Sequence, residues 1–175
     1  MDKHFELTNK FIINAFGVKL FQIKCTRRIK YAEVGDLGGY IEKEDNLSGD
    51  AWVSGDAQVY GNAQVYGDAW VSGDAQVYGN AQVYGNAWVY GDAQVSGDAR
   101  VSNNNEHCGF DCFGSVNRHT HAYKTQSGKV EITCGCFRGS IEEFEERVEK
   151  THQGNEFERQ YMAIVEVIKI KFGLK

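Results

Sequence analysis

Gly49-Asp50-Ala51-Trp52-Val53-Ser54, Gly55-Asp56-Ala57-Gln58-Val59-Tyr60 and Gly61-Asn62-Ala63-Gln64-Val65-Tyr66 open a six-residue pattern that continues to Ser102. Valine recurs at 53, 59, 65, 71, 77, 83, 89, 95 and 101, with Leu47 in the same register before them. Alanine stands two residues before each valine, and a Gly-Asp or Gly-Asn pair stands before the alanine. Each unit reads as a short strand followed by a tight corner. Glycine and Asn/Asp tolerate positive φ and so make the corner. Valine points inward, and alanine fills a space too narrow for a larger side chain.

A period of six does not by itself say how many units close a coil. The variable position does. Trp52, Trp70 and Trp88, all the tryptophans of the chain, lie eighteen residues apart; Gln58, Gln76 and Gln94 form a second register, and Gln64, Gln82 and Arg100 a third. Three hexads therefore make one coil of a triangular prism, with equivalent residues stacked at the inter-strand spacing of ~4.8 Å, so that three coils rise ~15 Å.

Working outward, Ile41 lies six residues before Leu47 and begins the first coil, in a repeat domain of residues 41–103. A solenoid leaves unpaired strand edges at its ends, which need covering. Residues 1–40 read as an N-terminal strand cap, with strands over Phe11–Asn14 and Val18–Thr26 joined by the turn Asn14-Ala15-Phe16-Gly17. Residues 104–175 read as a small α+β domain of two strands, 118–124 and 129–137, and two helices. Ser140 with Glu143 and Asn155 with Glu158 have the spacing of capping boxes. Ile141, Phe144 and Val148 give the first helix an apolar stripe; Phe157, Tyr161, Ile164, Val165 and Ile168 give the second one.

With 175 residues, 42% hydrophobic and 25% charged, the chain has the balance of one or two soluble globular domains. Twenty glycines without proline, spaced by six, exclude collagen. The net charge of −5 argues against a generic nucleic-acid binder. No uncharged apolar run reaches the ~18 residues that span a bilayer, and the acidic N-terminus lacks a signal-peptide pattern. A cytoplasmic location is expected. The five cysteines, Cys25, Cys108, Cys112, Cys134 and Cys136, form no dense disulfide framework and are expected to be reduced.

The repeat resembles the hexapeptide-repeat proteins that fold as a left-handed parallel β-helix, and the left hand is implied by that resemblance. The flanks Gly35-Asp36-Leu37-Gly38-Gly39-Tyr40-Ile41-Glu42-Lys43-Glu44-Asp45-Asn46-Leu47-Ser48 and Gly135-Cys136-Phe137-Arg138-Gly139-Ser140-Ile141-Glu142-Glu143-Phe144, followed by Thr151-His152, resemble a mostly uncharacterised family encoded by phages and prophages. That resemblance implies an accessory role in infection or in blocking host defence and names no chemistry. The wider hexapeptide class includes trimeric acyltransferases that bind acyl-coenzyme A between prisms and use a histidine on a loop leaving the coils. Here no insertion interrupts Leu47 to Val101, and that stretch has no histidine. A non-enzymatic protein is therefore expected, with no cofactor, and a coenzyme A-dependent acyltransferase with an atypical site, or a purely structural component, stands as the alternative.

Two places have the residue types of a site. The Trp52, Trp70 and Trp88 column lies on an outward position, where three indoles on one face would make an apolar patch for self-association, intramolecular docking or a ligand. A homo-oligomer is expected, a trimer by resemblance to the wider class. In the C-terminal domain, Ser115, Arg118, His119, His121, Tyr123 and Arg138 can hold a small anionic or nucleotide-like ligand. Arg offers paired donors, His a donor that charges readily, and Tyr a ring for stacking. Against this stands the reading of residues 118–124 as a plain exposed edge strand. Cys108, Cys112, Cys134 and Cys136, with His107, His119 and His121, contain enough ligands for zinc. Their C-x3-C and C-x-C spacings are not those of common zinc modules, and Val130, Ile132, Cys134 and Cys136 read as an apolar strand face of buried thiols, so no metal is expected. Asp56, Asp74 and Asp92 stack in a column that suggests DNA mimicry, but corners and solubility explain them more simply. The expected function is to counter a host activity, by sequestering a small anionic signal or occluding a host protein.

Overall fold

The computed structural model describes residues 3–174, and its contacts divide the chain into two compact units, 1–104 and 105–175. In the first unit every hexad contributes one two-residue strand. After β1 (Phe5–Ile13), β2 (Lys19–Cys25) and β3 (Leu37–Ile41) come β4 (Trp52–Val53), β5 (Gln58–Val59) and β6 (Gln64–Val65), then β7 (Trp70–Val71), β8 (Gln76–Val77) and β9 (Gln82–Val83). The next coil supplies β10 (Trp88–Val89), β11 (Gln94–Val95) and β12 (Arg100–Val101). From β4 to β12 pairing is parallel between residues eighteen apart: Trp52 with Trp70 and Trp70 with Trp88, Gln58 with Gln76 and Gln76 with Gln94, Gln64 with Gln82 and Gln82 with Arg100. This stretch of the chain is thus a β-solenoid of about three turns.

Burial follows the residue types. Every repeat valine is fully buried, and the alanines are at most 2% exposed. Corner glycines hold φ between 63° and 74° and approach the next coil so closely that a Cβ on Gly67 would lie 3.0 Å from the Gly85 nitrogen. The corners bond to one another as well: the Asp50 amide donates to the Gly67 carbonyl at 2.8 Å, and Asp68 to Gly85 at 2.8 Å.

Strands β1, β2 and β3 form an antiparallel meander, and β3 then runs parallel to β5, aligning Tyr40 with Gln58 and Ile41 with Val59. One mixed sheet of order β1-β2-β3-β5-β8-β11 results. The β1–β2 turn is the one read from Asn14 to Gly17: Asn14 Oδ1 accepts from the amides of Phe16 and Val18, and Gly17 takes φ 77°. β1 begins at Phe5, six residues earlier than expected, because Phe5 to Leu7 pair with Cys25 to Ile23 across an irregularity. That irregularity breaks the alternation that marks a strand.

The second unit is an antiparallel sheet of order β13-β14-β15-β16, made by His107–Phe113, Arg118–Lys124, Val130–Cys134 and Phe137–Ser140. Two of its four strands, β13 and β16, go beyond the pair expected from sequence. β13 contains Gly109, Asp111 and two cysteines and has no apolar alternation; pairing to β14 makes it a strand. β14 is consequently a central strand, not an exposed edge. Helices α1 (Ile141–His152) and α2 (Glu156–Phe172) supply Ile141, Phe144, Val148, Tyr161, Ile164, Val165 and Ile168 to one core with Ala122, Val130, Ile132 and Cys134. At α1 the capping box is complete: Ser140 Oγ accepts from the Glu143 amide and Glu143 Oε2 from the Ser140 amide. At α2, Asn155 Oδ1 accepts from Phe157 and Glu158, but the Glu158 carboxylate reaches one residue further back, to the Gly154 amide at 2.6 Å. Among the described residues no helix is long and apolar enough to cross a membrane.

Candidate anion pocket

In the second unit, the start of β14 and the turn before β16 face the end of α1 and the start of α2 across a cavity of about 310 Å³. Two glycines open it. Gly135, at φ 59°, lies under the Arg118 side chain, and a Cβ there would collide with the guanidinium. Gly114, at φ 75°, lies under the Tyr161 ring, where a Cβ would strike the hydroxyl. The Gly114 amide also donates to Gln160 Oε1 at 2.9 Å, tying this turn to α2.

From α1 comes a stripe at helical spacing: Phe144, Arg147, Val148, Thr151 and His152 all line the cavity. The walls are aromatic. His152 stacks on Tyr161 with centroids 5.5 Å apart and planes at 28°, Phe144 meets Tyr161 edge-on at 5.7 Å, and Phe137 lies 5.2 Å from Phe144. Burial beside Cys134 pushes the Tyr161 hydroxyl up to about 12, so it stays protonated and can donate. Arg118 and Arg147 carry the charge. Among the described residues neither is ion-paired, and no carboxylate lines the cavity. Two exposed guanidiniums over an aromatic floor, in a protein of net charge −5, can bind an anion through charge-assisted paired hydrogen bonds.

Of the residues singled out from sequence, the cavity brings together Ser115 and Arg118. His119, His121 and Tyr123 leave β14 on the other face. His121 and Tyr123 are buried, with His121 Nε2 3.0 Å from His107 Nδ1, and His119 Nδ1 lies 2.5 Å from Asp111. Arg138 is engaged elsewhere, its Nε donating to Glu131 at 2.9 Å. The six residues therefore do not converge, because β alternation sends Arg118 and His119 to opposite faces. Sequence reading missed Arg147, Thr151 and His152, which the i, i+3, i+4, i+7, i+8 spacing from Phe144 would have revealed.

The cysteines remain separate. Cys134 is buried and accepts from Thr120 Oγ1 at 3.3 Å, and burial pushes the Cys108 thiol up to about 11. Among the described residues no three His, Cys, Asp or Glu side chains cluster as metal ligands, and all five cysteines are free thiols.

The tryptophan column differs from the exposed face expected of it. Trp52 is 2% exposed, packed 6.1 Å from the His4 ring and over Gly38, whose Cβ would lie 2.8 Å from the indole. Tyr31 stacks on Trp70 at 5.4 Å and 11°, and its hydroxyl accepts from Trp88 Nε1 at 2.9 Å. Trp88 alone is substantially open, at 39%. The loop between β2 and β3 thus takes up most of this face within the chain.

A wider groove of about 990 Å³ in the first unit is lined by Lys3 and Arg27 but also by Glu44, Asp45, Asp50 and Asp68, so carboxylates outnumber its cations. Lys3 pairs with Glu44, and Arg27 with Asp50 at 2.6 Å. Unpaired positive charge makes the smaller cavity the better site for an anion.

Fold and site together define a β-solenoid repeat protein with an appended α+β unit that carries an open, basic pocket. The YdcK beta-solenoid repeat family matches four stretches of the chain, residues 57–73, 63–79, 75–91 and 93–105, all in the solenoid or just beyond it. No curated protein matches the sequence.

Proposed function

We propose that the protein is a non-enzymatic binding protein that captures a small anion in the Arg118/Arg147 pocket, with the solenoid as its scaffold. The observation that carries this reading is the pair of guanidiniums lacking carboxylate partners over a cavity that no acidic residue lines. Guanidiniums that line a cavity without a carboxylate partner can take a bound anion as their counter-charge through paired hydrogen bonds. A paired arginine contact contributes roughly 1.5–3 kcal/mol, so losing one weakens binding about 10- to 100-fold.

The finer reading rests on the resemblances in the repeat and its flanks. It makes the coil left-handed, the protein a phage-type member of the hexapeptide-repeat proteins, and residues 1–40 the cover of its starting edge. The assembly is a homo-oligomer, a trimer on the pattern of the wider class, with Trp88 at its contact. The protein acts in the host cytoplasm, where sequestering a small anionic signal blunts a host defence. Native mass spectrometry of the purified protein reports assembly and carried-over ligand together. The expected spectrum shows an oligomer and a bound small molecule that Arg118→Ala and Arg147→Ala remove while the fold persists. A bare wild-type protein that also gives no heat with phosphate, sulfate or phosphorylated metabolites in calorimetry sinks the reading.

A further inference from the structure

Resting on that reading, we propose that the pocket selects an aryl phosphomonoester: one dianionic phosphate held between Arg118 and Arg147, and one planar ring on the His152–Tyr161 stack. Charge sets the head group. Two guanidiniums in a cavity that no carboxylate lines are neutralised by one group of about two negative charges, which a phosphomonoester carries near pH 7 and a carboxylate does not. Shape sets the rest. The floor of Phe137, Phe144 and Val148 offers no hydrogen bond to a sugar or peptide, whereas a flat ring gains from both stacking and burial there. His152 lies over the buried Tyr161 ring at 28°, so a ligand ring would continue that stack from the His152 side, with Tyr161 behind it. Volume sets the limit. At about 310 Å³ the cavity lies at the small end of ligand pockets, ~300–1,000 Å³, which leaves no room for a dinucleotide or a coenzyme. Tyr161 keeps its proton and can donate, whereas the Thr151 hydroxyl spends its proton on the Arg147 carbonyl at 2.7 Å and leaves the anion to the two arginines.

Calorimetric titration of the full chain with phenyl phosphate, cyclohexyl phosphate and inorganic phosphate tests this. Phenyl phosphate is expected to bind at least about tenfold more tightly than either other probe. Arg118→Ala and Arg147→Ala should each weaken all three probes by a similar factor. His152→Ala should abolish the preference for the phenyl ring while leaving inorganic phosphate unchanged. Arg-dependent binding of inorganic phosphate as tight as that of phenyl phosphate overturns the aryl selection and leaves the anion pocket standing. No binding of any probe to wild-type protein that melts normally overturns both. If His152→Ala lowers the melting temperature, Phe137→Leu in the floor supplies the same comparison, and an unchanged phenyl preference in folded Phe137→Leu and His152→Ala variants counts against the proposal.

Discussion

His4 is a polar ring among apolar neighbours, buried between Phe5 and Trp52 with its Nε2–H donating to the Ala51 carbonyl at 2.8 Å. Because the carbonyl can only accept, the proton lies on Nε2. Burial is the main cause that holds its pKa below the ordinary value of 6.5; the Ala51 and Gly49 carbonyls and Asp50 oppose the shift, and Arg27 adds to it. The unfolded chain therefore takes up a proton on His4 at a pH where the folded chain still resists it. More protons bound in the unfolded state means that stability rises with pH, so the fold loses stability as pH falls below about 6.5 until the folded-state value is passed. Melting temperatures of wild type and His4→Gln from about pH 8 to 5 check this. The wild type should lose more over that range than the variant, and parallel profiles would refute the assignment.

At the level of the element, the corner column separates two costs of replacing glycine. Gly67 and Gly91 both have positive φ, 74° and 66°, but a Cβ on Gly67 meets the next coil at 3.0 Å while one on Gly91 meets nothing within 4 Å. Gly91→Ala should cost only the left-handed strain, roughly 1–2 kcal/mol. Gly67→Ala should cost at least about 1 kcal/mol more, since backbone atoms of an adjacent coil cannot swing aside. Denaturant melts of the two variants decide it; equal midpoints would mean that the coils part easily. These corners were readable because valine and alanine each repeat in strict phase. What the sequence did not reveal lacks phase: β13 is a strand through its partner, Tyr31 covers two indoles from a loop without pattern, and Arg147 looks like an ordinary exposed charge on a helix. A repeat advertises itself through many copies, whereas a pocket is assembled once, from elements that only tertiary packing brings together.

Across the whole molecule, acidity and basicity are unevenly spread. Residues 46–102 contain six aspartates and one arginine, and the remaining residues balance 18 basic against 18 acidic. The acid in the solenoid is largely at corners, where Asn62 donates to Asn80 and Asn80 to Asp98, each at 3.3 Å, as a side-chain ladder along one edge. The regular pairing of residues eighteen apart makes length itself a coded quantity: the prism counts in modulus eighteen. Inserting a second copy of residues 79–96 after Ser96 adds one storey with every column still in phase, and its height should grow by ~4.8 Å with the melting temperature little changed. Inserting a copy of residues 91–96 alone rotates the rest of the coil by one face and sets Arg100 above Trp88 instead of Gln82. That insert should melt well below the longer one, even though it adds a third as many residues. Circular dichroism melts of the two inserts give the comparison, and equal midpoints would show that the faces are interchangeable. Such a chain can lengthen in evolution only by whole storeys.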